Sequence, residues 1–373
     1  MIYIVTMLGL VAMFFAYLPK TTYRYGLETA WIIIFVFLAI RYDFGNDYMV
    51  YLNGFNYFNS FMNFTIDYDS HFEPGWQILC YIFKPYGFFA MVAVITAIEC
   101  FILYRAIKEY VPQRYYWFSI FLFVFSPDNM LVGASMMRNE LVICMFVYGI
   151  KYIINRNYIK YIILVLLAKQ IHSSAIILLP IYLFTYLKEI NWTKTMSLCV
   201  VAICFMLFLF QQKLSPYIET FSKYLGTTDE YERYINEAAD GRMSIGLGST
   251  MILWIFVYIA MTINSRSKND RLLYFILLLG TFVSPFAATM GQIGRLRYYF
   301  MFFAIFCYPI VWGGSTAETK LGWSYSNIFK KNEYLKLITI VFVFVLTIYS
   351  YLFFFVDPTW IKKYSIYKTI IFQ

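Results

Sequence analysis

Four arginines, Arg41, Arg138, Arg295 and Arg297, stand at the ends of long apolar runs, where a charged side chain is costly unless it meets an anion or water. A guanidinium fork grips phosphate oxygens two at a time and keeps its charge. Four such forks on one side describe a site for a phosphorylated group anchored in a membrane. Only two histidines occur in the chain. One of them, His172, lies in an apolar stretch on that same side and has the intrinsic basicity of a general base near neutrality. Arg41 opens the run Arg41-Tyr42-Asp43-Phe44-Gly45-Asn46-Asp47-Tyr48. There a phosphate-binding fork precedes two carboxylates, four residues apart, that share a face if the stretch is helical. The competing reading of Arg41 is structural: it caps its helix end, pairs with Asp43 and reaches to the interface.

Three further constellations belong to the same side. Glu73 precedes Pro74-Gly75-Trp76, a helix start with proline at the first position, so Glu73 either caps that helix or serves as a base. His71, two residues earlier, reads as exposed and incidental. Arg138-Asn139-Glu140 begins a span after the turn Gly133-Ala134-Ser135-Met136-Met137. An Arg138–Glu140 pair would explain stability alone, whereas free amides at Gly133 and Ser135 would suit an anion. Gly291-Gln292-Ile293-Gly294-Arg295-Leu296-Arg297-Tyr298 forms a third outward turn, where two arginines one residue apart diverge in extended backbone, one to a cavity and one to headgroups. Asn139, Glu140, Gln170, Gln292 and Tyr298 are the neighbouring polar groups available to the rest of a substrate.

Elements that could hold these groups follow from composition. The chain has 373 residues, 61% hydrophobic and 14% charged, which is too apolar for a soluble core and marks an integral membrane protein. The first run, 2–18, lacks a basic leader region and a small-residue cleavage site and reads as a retained span. The net charge of +9 resides in short loops between spans, so it reports topology and not nucleic-acid binding. Six cysteines fall singly within apolar runs, and neither a phosphate-cradling glycine loop nor a nucleophile elbow is present. The expected chemistry therefore uses no metal and no cofactor.

Requiring roughly 15–22 apolar residues per crossing predicts an all-α, polytopic chain of about 12 transmembrane helices forming one membrane domain over 1–373. The spans lie near 2–18, 27–40, 87–104, 115–132, 139–153, 161–171, 173–187, 195–211, 246–263, 272–289, 298–313 and 337–356. Basic loops between them face the cytoplasm, and the two larger acidic, tyrosine-rich loops, 41–75 and 211–245, face outward. Both termini then lie outside, and the lysines after Asp357 sit on the unexpected face, along the membrane surface with Trp360 at headgroup level.

One segment decides the count. As one helix, the roughly 27 residues of 161–187 would run about 40 Å against a core of about 30 Å and would place flanking basic loops on opposite sides. A break at Gln170-Ile171-His172-Ser173-Ser174 removes both conflicts and makes a re-entrant or broken pair with His172 at its outward turn. The alternative is a single tilted helix in which His172 only packs.

In order along the chain, these elements resemble the EpsG family of polysaccharide polymerases, similar in role to Wzy O-antigen polymerases. The resemblance rests on Arg41, Asp43 and Asp47, Glu73-Pro74-Gly75-Trp76, Arg138, the spaced set Ala168, His172, Ser174 and Ala175, and Arg295 with Tyr298. It implies a GT-C-like membrane glycosyltransferase at the outer face of the bacterial cytoplasmic membrane, with its active site facing the periplasm or cell exterior. The growing glycan would pass from undecaprenyl pyrophosphate to a sugar hydroxyl of another lipid-linked repeat unit, with a chain-length regulator as a partner protein. Arginines would stabilise the departing pyrophosphate, and His172 would take the acceptor proton, with Asp43, Asp47 and Glu73 as the other candidate bases. The remaining classes are a flippase for the same lipid-linked oligosaccharide and a single-sugar glycosyltransferase or O-acyltransferase of surface polysaccharide.

Overall fold

Runs this apolar leave backbone amides no partner but their own chain, and helices accordingly supply nearly every described element. The structure, a computed structural model, describes residues 1–60, 63–187, 189–190, 268–283, 291–313 and 333–372, with isolated positions between 195 and 213. It divides into two compact units, Met1–Thr185 with Thr347–Gln373, and Tyr186–Leu346.

In the first unit, α1 (Ile2–Tyr17) packs on α2 (Gly26–Ala39), and α2 packs on α5 (Phe88–Tyr110). Between them in sequence lie the short strand β1 (Arg41–Tyr42), α3 (Tyr48–Asn59) and α4 (Pro74–Ile82). The 23 residues of α5 reach about 34 Å, enough to cross a membrane core. Among the described residues α5 alone is long and apolar enough, and the bent pair 113–125 and 128–135 passes as a second crossing with a 66° bend. The count of about 12 crossings is thus not reproduced among the described residues. Several expected spans are shorter apolar helices, the expected span 246–263 lies outside the described residues, and 195–211 is described only at isolated positions.

The bend has a local cause. Pro127 brings no N–H, and α6 (Tyr116–Phe125) ends before it. A π-helical turn, Asp128–Val132, and the brief α7 (Gly133–Ser135) follow. The Asn129 side-chain amide donates to Leu122 O at 3.0 Å, satisfying a carbonyl near the break. Next come α8 (Met137–Ile154), packed on α5, and α9 (Tyr158–Ile171), packed on α8.

The break expected within 161–187 is present. After α9, His172 is extended (φ −149°, ψ 120°), and the chain returns as a 3-10 helix, Ser173–Leu183, followed by α10 (Phe184–Leu187). The two arms lie side by side, since the Tyr161 hydroxyl donates to Leu178 O at 2.7 Å and the Tyr161 and Tyr182 rings are 5.8 Å apart. The stretched 3-10 geometry lets this second arm reach about 28 Å with few residues.

The tail also has a definite place. A short helix, Pro358–Tyr364, leads into β2 (Lys368–Thr369), which pairs antiparallel with β1, Arg41 opposite Thr369 and Tyr42 opposite Lys368. Trp360 stacks on Phe354 at 5.3 Å. Tail lysines that had no rationale in sequence include Lys368, which bonds Asp43 at 2.6 Å.

In the second unit α11 (Lys268–Val283) packs on α12 (Gly291–Met301) and α13 (Ala304–Gly313). The Lys268 ammonium pairs with Glu189, and Arg271 donates to Ile190 O at 2.8 Å. The loop 211–245 lies outside the described residues, apart from the isolated position 213.

Candidate functional site

The site is built where α4, the start of α8 and the turn of the α9 hairpin meet. Glu73 is the residue before α4, with extended backbone (φ −64°, ψ 152°), and Pro74 takes the first helical position. Its carbonyl receives the Gln77 amide at 3.2 Å, but its carboxylate does not cap its own helix. Instead the carboxylate turns across to two other elements. Oε2 accepts from the Arg138 guanidinium, and Oε1 accepts the Ser173 backbone N–H at 2.7 Å and lies 3.5 Å from His172 Nδ1. Arg138 therefore pairs with Glu73 and not with its near neighbour Glu140.

Helical geometry explains the choice. Arg138 and Glu140 sit two positions apart on α8 and so point to nearly opposite faces. Glu140 turns inward and is buried, its carboxylate lying where a Cβ on Gly133 would meet it at 2.6 Å. Gly133 N–H is spent on Met130 O within the helical turn.

The loop 67–73 is held by two side chains, Arg138 and Gln77. Arg138 Nη1 donates to His71 O at 3.2 Å as well as to Glu73. Buried Gln77, one turn into α4, donates to Asp67 O at 2.8 Å and Phe72 O at 2.7 Å and accepts the Asp67 N–H at 2.9 Å. The Arg138 guanidinium stands over the Phe72 ring at 4.7 Å and the Tyr51 ring at 5.8 Å, a cation–π seat that also shields it from water. Gly75 permits the hairpin turn to sit on α4, because a Cβ there would meet Gln170 O at 2.6 Å and Gln170 Cβ at 2.8 Å.

Electrostatics follow from this packing. Burial pushes the Glu73 carboxyl up, but the His172 hydrogen bond, the Arg138 charge and the Ser173 amide outweigh it and hold Glu73 down to about 2. An anion so firmly ionised is a poor proton acceptor. It is suited to orienting His172: with Nδ1 facing Glu73, and Ser174 Oγ at 3.3 Å, the Nε2 lone pair is left for a substrate proton. The three side chains are 14–18% exposed, so the group is reachable but shielded.

The other expected residues separate. Arg41 is 2% exposed and turned inward, its guanidinium bonded to Leu38 O and, at 3.0 Å, to Thr96 Oγ1. With Glu99, Asn129 and Glu140 it lines a cavity of about 10 Å³, the size of one water. The stretch after it is not helical: β1 ends at Tyr42, Asp43 takes a left-handed φ of 45°, and Asp47 is the residue before α3. Asp43 and Asp47 thus do not share a helical face. Asp47 N–H donates to Ser135 Oγ at 3.2 Å, which ties this loop to the turn before α8. Asn139 is buried, its side-chain amide without a protein partner, and Gln170 has an exposed side chain.

Gln292, Arg295, Arg297 and Tyr298 ride α12, which is helical where an extended turn was expected. The Arg297 guanidinium lies 5.1 Å from the Tyr298 ring centre. The side chains of Gln292 and Arg295 lie outside the described ones.

Tyr51, Phe72 and Gln77 join this cluster without having been singled out for it, whereas Ser173 and Ser174 were named with the break at His172. Gln77 carried a signal, a polar side chain four residues after Glu73 on an otherwise apolar helix. Tyr51 and Phe72 carried none among so many aromatics.

A family model described as the EpsG family matches residues 28–369, nearly the whole chain. No curated protein and no solved structure matches.

Proposed function

Since the chain belongs to the EpsG family, which is associated with polysaccharide polymerases, we propose that it polymerises polyprenyl-pyrophosphate-linked repeat units at the outer face of the cytoplasmic membrane. Undecaprenyl pyrophosphate is the carrier in this reading, on both donor and acceptor. The observation that carries it is the meeting of Arg138, Glu73 and His172, separated by up to 99 positions in sequence, in one half-buried cluster.

The chemistry asks for two things. The acceptor hydroxyl must lose a proton as its oxygen bonds the anomeric carbon, and the bond from that carbon to the pyrophosphate oxygen must break as negative charge accumulates on the leaving group. His172 takes the proton at Nε2, oriented from behind by Glu73. The partly exposed Arg138 guanidinium meets the developing charge, in a seat beside the Phe72 and Tyr51 rings where Coulomb attraction is stronger than in water. Arg41, bonded on the inside, acts in this reading as a brace between α2 and α5.

Gel analysis of surface glycan from a strain lacking the protein tests the class. Loss of a polymerase leaves single-repeat glycan. A complete absence of lipid-linked glycan outside would indicate a flippase, and full-length chains would indicate a decorating enzyme. Labelling of engineered cysteines with an impermeant reagent tests the side: Tyr68 and Asp69 should react from outside, and reaction only from inside would reject the outward orientation.

A further inference from the structure

The tail strand pairs with β1, at the start of the loop that runs on to Glu73, and brings a cation with it. Lys368 is opposite Tyr42 in the β1–β2 pair, and its Nζ bonds Asp43 Oδ2 at 2.6 Å while half its side chain stays open to solvent. The strand is firmly seated. Ile370 N–H donates to Ile40 O at 3.1 Å, the Tyr367 ring stacks on Phe37 at 4.5 Å with its hydroxyl bonded to Phe37 O, and Tyr364, fully buried, packs on Phe44 at 5.2 Å. Gly45 closes against this seat: a Cβ there would meet Ser135 Oγ at 2.4 Å and the Tyr364 hydroxyl at 2.6 Å. Asp47, two residues on, is bonded through its amide to that same Ser135, three residues before Arg138 in sequence.

Stability alone does not account for the pair. Asp43 adopts a left-handed φ of 45°, a conformation that L side chains rarely hold, and the aromatic and backbone contacts already fix the strand without the ion pair. An exposed ion pair contributes little by itself. What the arrangement does achieve is to place an ammonium, three donors on a flexible stem, at a fixed point beside the loop 43–47 and to keep it from pairing elsewhere.

We propose that Lys368 is a phosphate-binding residue of the site, held ready by Asp43 and passed to the pyrophosphate of the lipid-linked donor when that donor binds. This rests on the reading of the protein as a polymerase with such a donor. Lysine suits this role as a mobile point charge, where Arg138 supplies the fixed fork.

The test compares wild type with Lys368→Gln, Lys368→Arg and the charge swap Asp43→Lys/Lys368→Asp in purified full-length protein, measuring donor KM, kcat and melting temperature. The expected result is a KM for donor raised about tenfold in Lys368→Gln with kcat and melting nearly unchanged, most of the effect recovered in Lys368→Arg, and no recovery in the swap. Wild-type KM in Lys368→Gln, or a swap that restores it, would overturn the proposal, since the pair would then be only a strut. So would a lowered melting temperature with unchanged KM. A second arm uses inorganic pyrophosphate alone. If wild type turns over no lipid-linked donor, the polymerase reading fails. Thermal protection by pyrophosphate in wild type, lost in Lys368→Gln, would still support the anion site, and equal protection in both would reject it.

Discussion

Glu73→Gln is the substitution on which the site's logic turns. The change keeps size and shape, removes the charge that faces Arg138 and His172, and puts an amide N–H where either Arg138 or the Ser173 N–H needs an acceptor. The carboxyl falls from its ordinary 4.5 to about 2 in the folded protein. At full value that is about 3 kcal/mol in favour of the folded, ionised form at neutral pH. Glu73 is 15% exposed, and water shares in the screening, so about 1.5–2 kcal/mol is expected. The sign is set by a depressed carboxyl: the stabilisation is complete above about 4.5 and is lost as pH falls toward about 2. Wild type should therefore outlast Glu73→Gln by a nearly constant margin from neutrality down to about pH 5, and by a clearly smaller margin at about pH 3.5. Denaturation in detergent or nanodiscs at both pH values measures it. A margin that does not shrink at the lower pH, or no margin at neutrality, would refute the assignment of Glu73 as an ionised bridge. Turnover per folded molecule should drop about 100-fold or more, because the imidazole loses the partner that sets its tautomer.

Three further outcomes follow from the same geometry. His172→Gln should retain folding and donor binding while turnover per folded molecule falls roughly 100-fold, and near-normal turnover in a reconstituted assay would make it scaffold. Arg138→Ala should abolish polymer with the protein still inserted, and Arg138→Lys should recover less than about a tenth of wild-type turnover, because an ammonium lacks the second, planar set of N–H donors that the guanidinium keeps for a phosphate while Nη1 holds Glu73 and His71 O. Gly75→Ala should cost about 1–3 kcal/mol in stability and reduce turnover further than unfolding explains, because the added methyl meets Gln170 backbone at 2.6 Å and pushes the His172 turn away from Glu73.

Membrane class, helical content and the break at His172 were legible in the sequence because each depends on local quantities. Apolar run length, the charge of the flanking loops and a polar cluster inside an apolar run suffice to predict a hairpin between Tyr161 and Leu187, and the Tyr161–Leu178 bond reports it. The family was legible for a related reason, that its motifs are ordered along the chain from Arg41 to Tyr298. The partner of each charge was not. Arg138 had Glu140 close in sequence and paired with Glu73, and Asp43 had Arg41 close by and paired with Lys368, 325 residues away.

By itself, then, the sequence determined that this is a helical membrane protein and where its hairpin breaks, and it offered a short set of side chains as candidates for chemistry. Only the tertiary structure decided that Glu73, Arg138 and His172 form one cluster, that Arg41 faces inward, and that the tail returns to the first loop. The physical reason is that helix formation and membrane partition are summed over neighbours in sequence. Pairing of buried charges is settled instead by the face each helix turns, about 100° per residue, and by which element the packing brings opposite it.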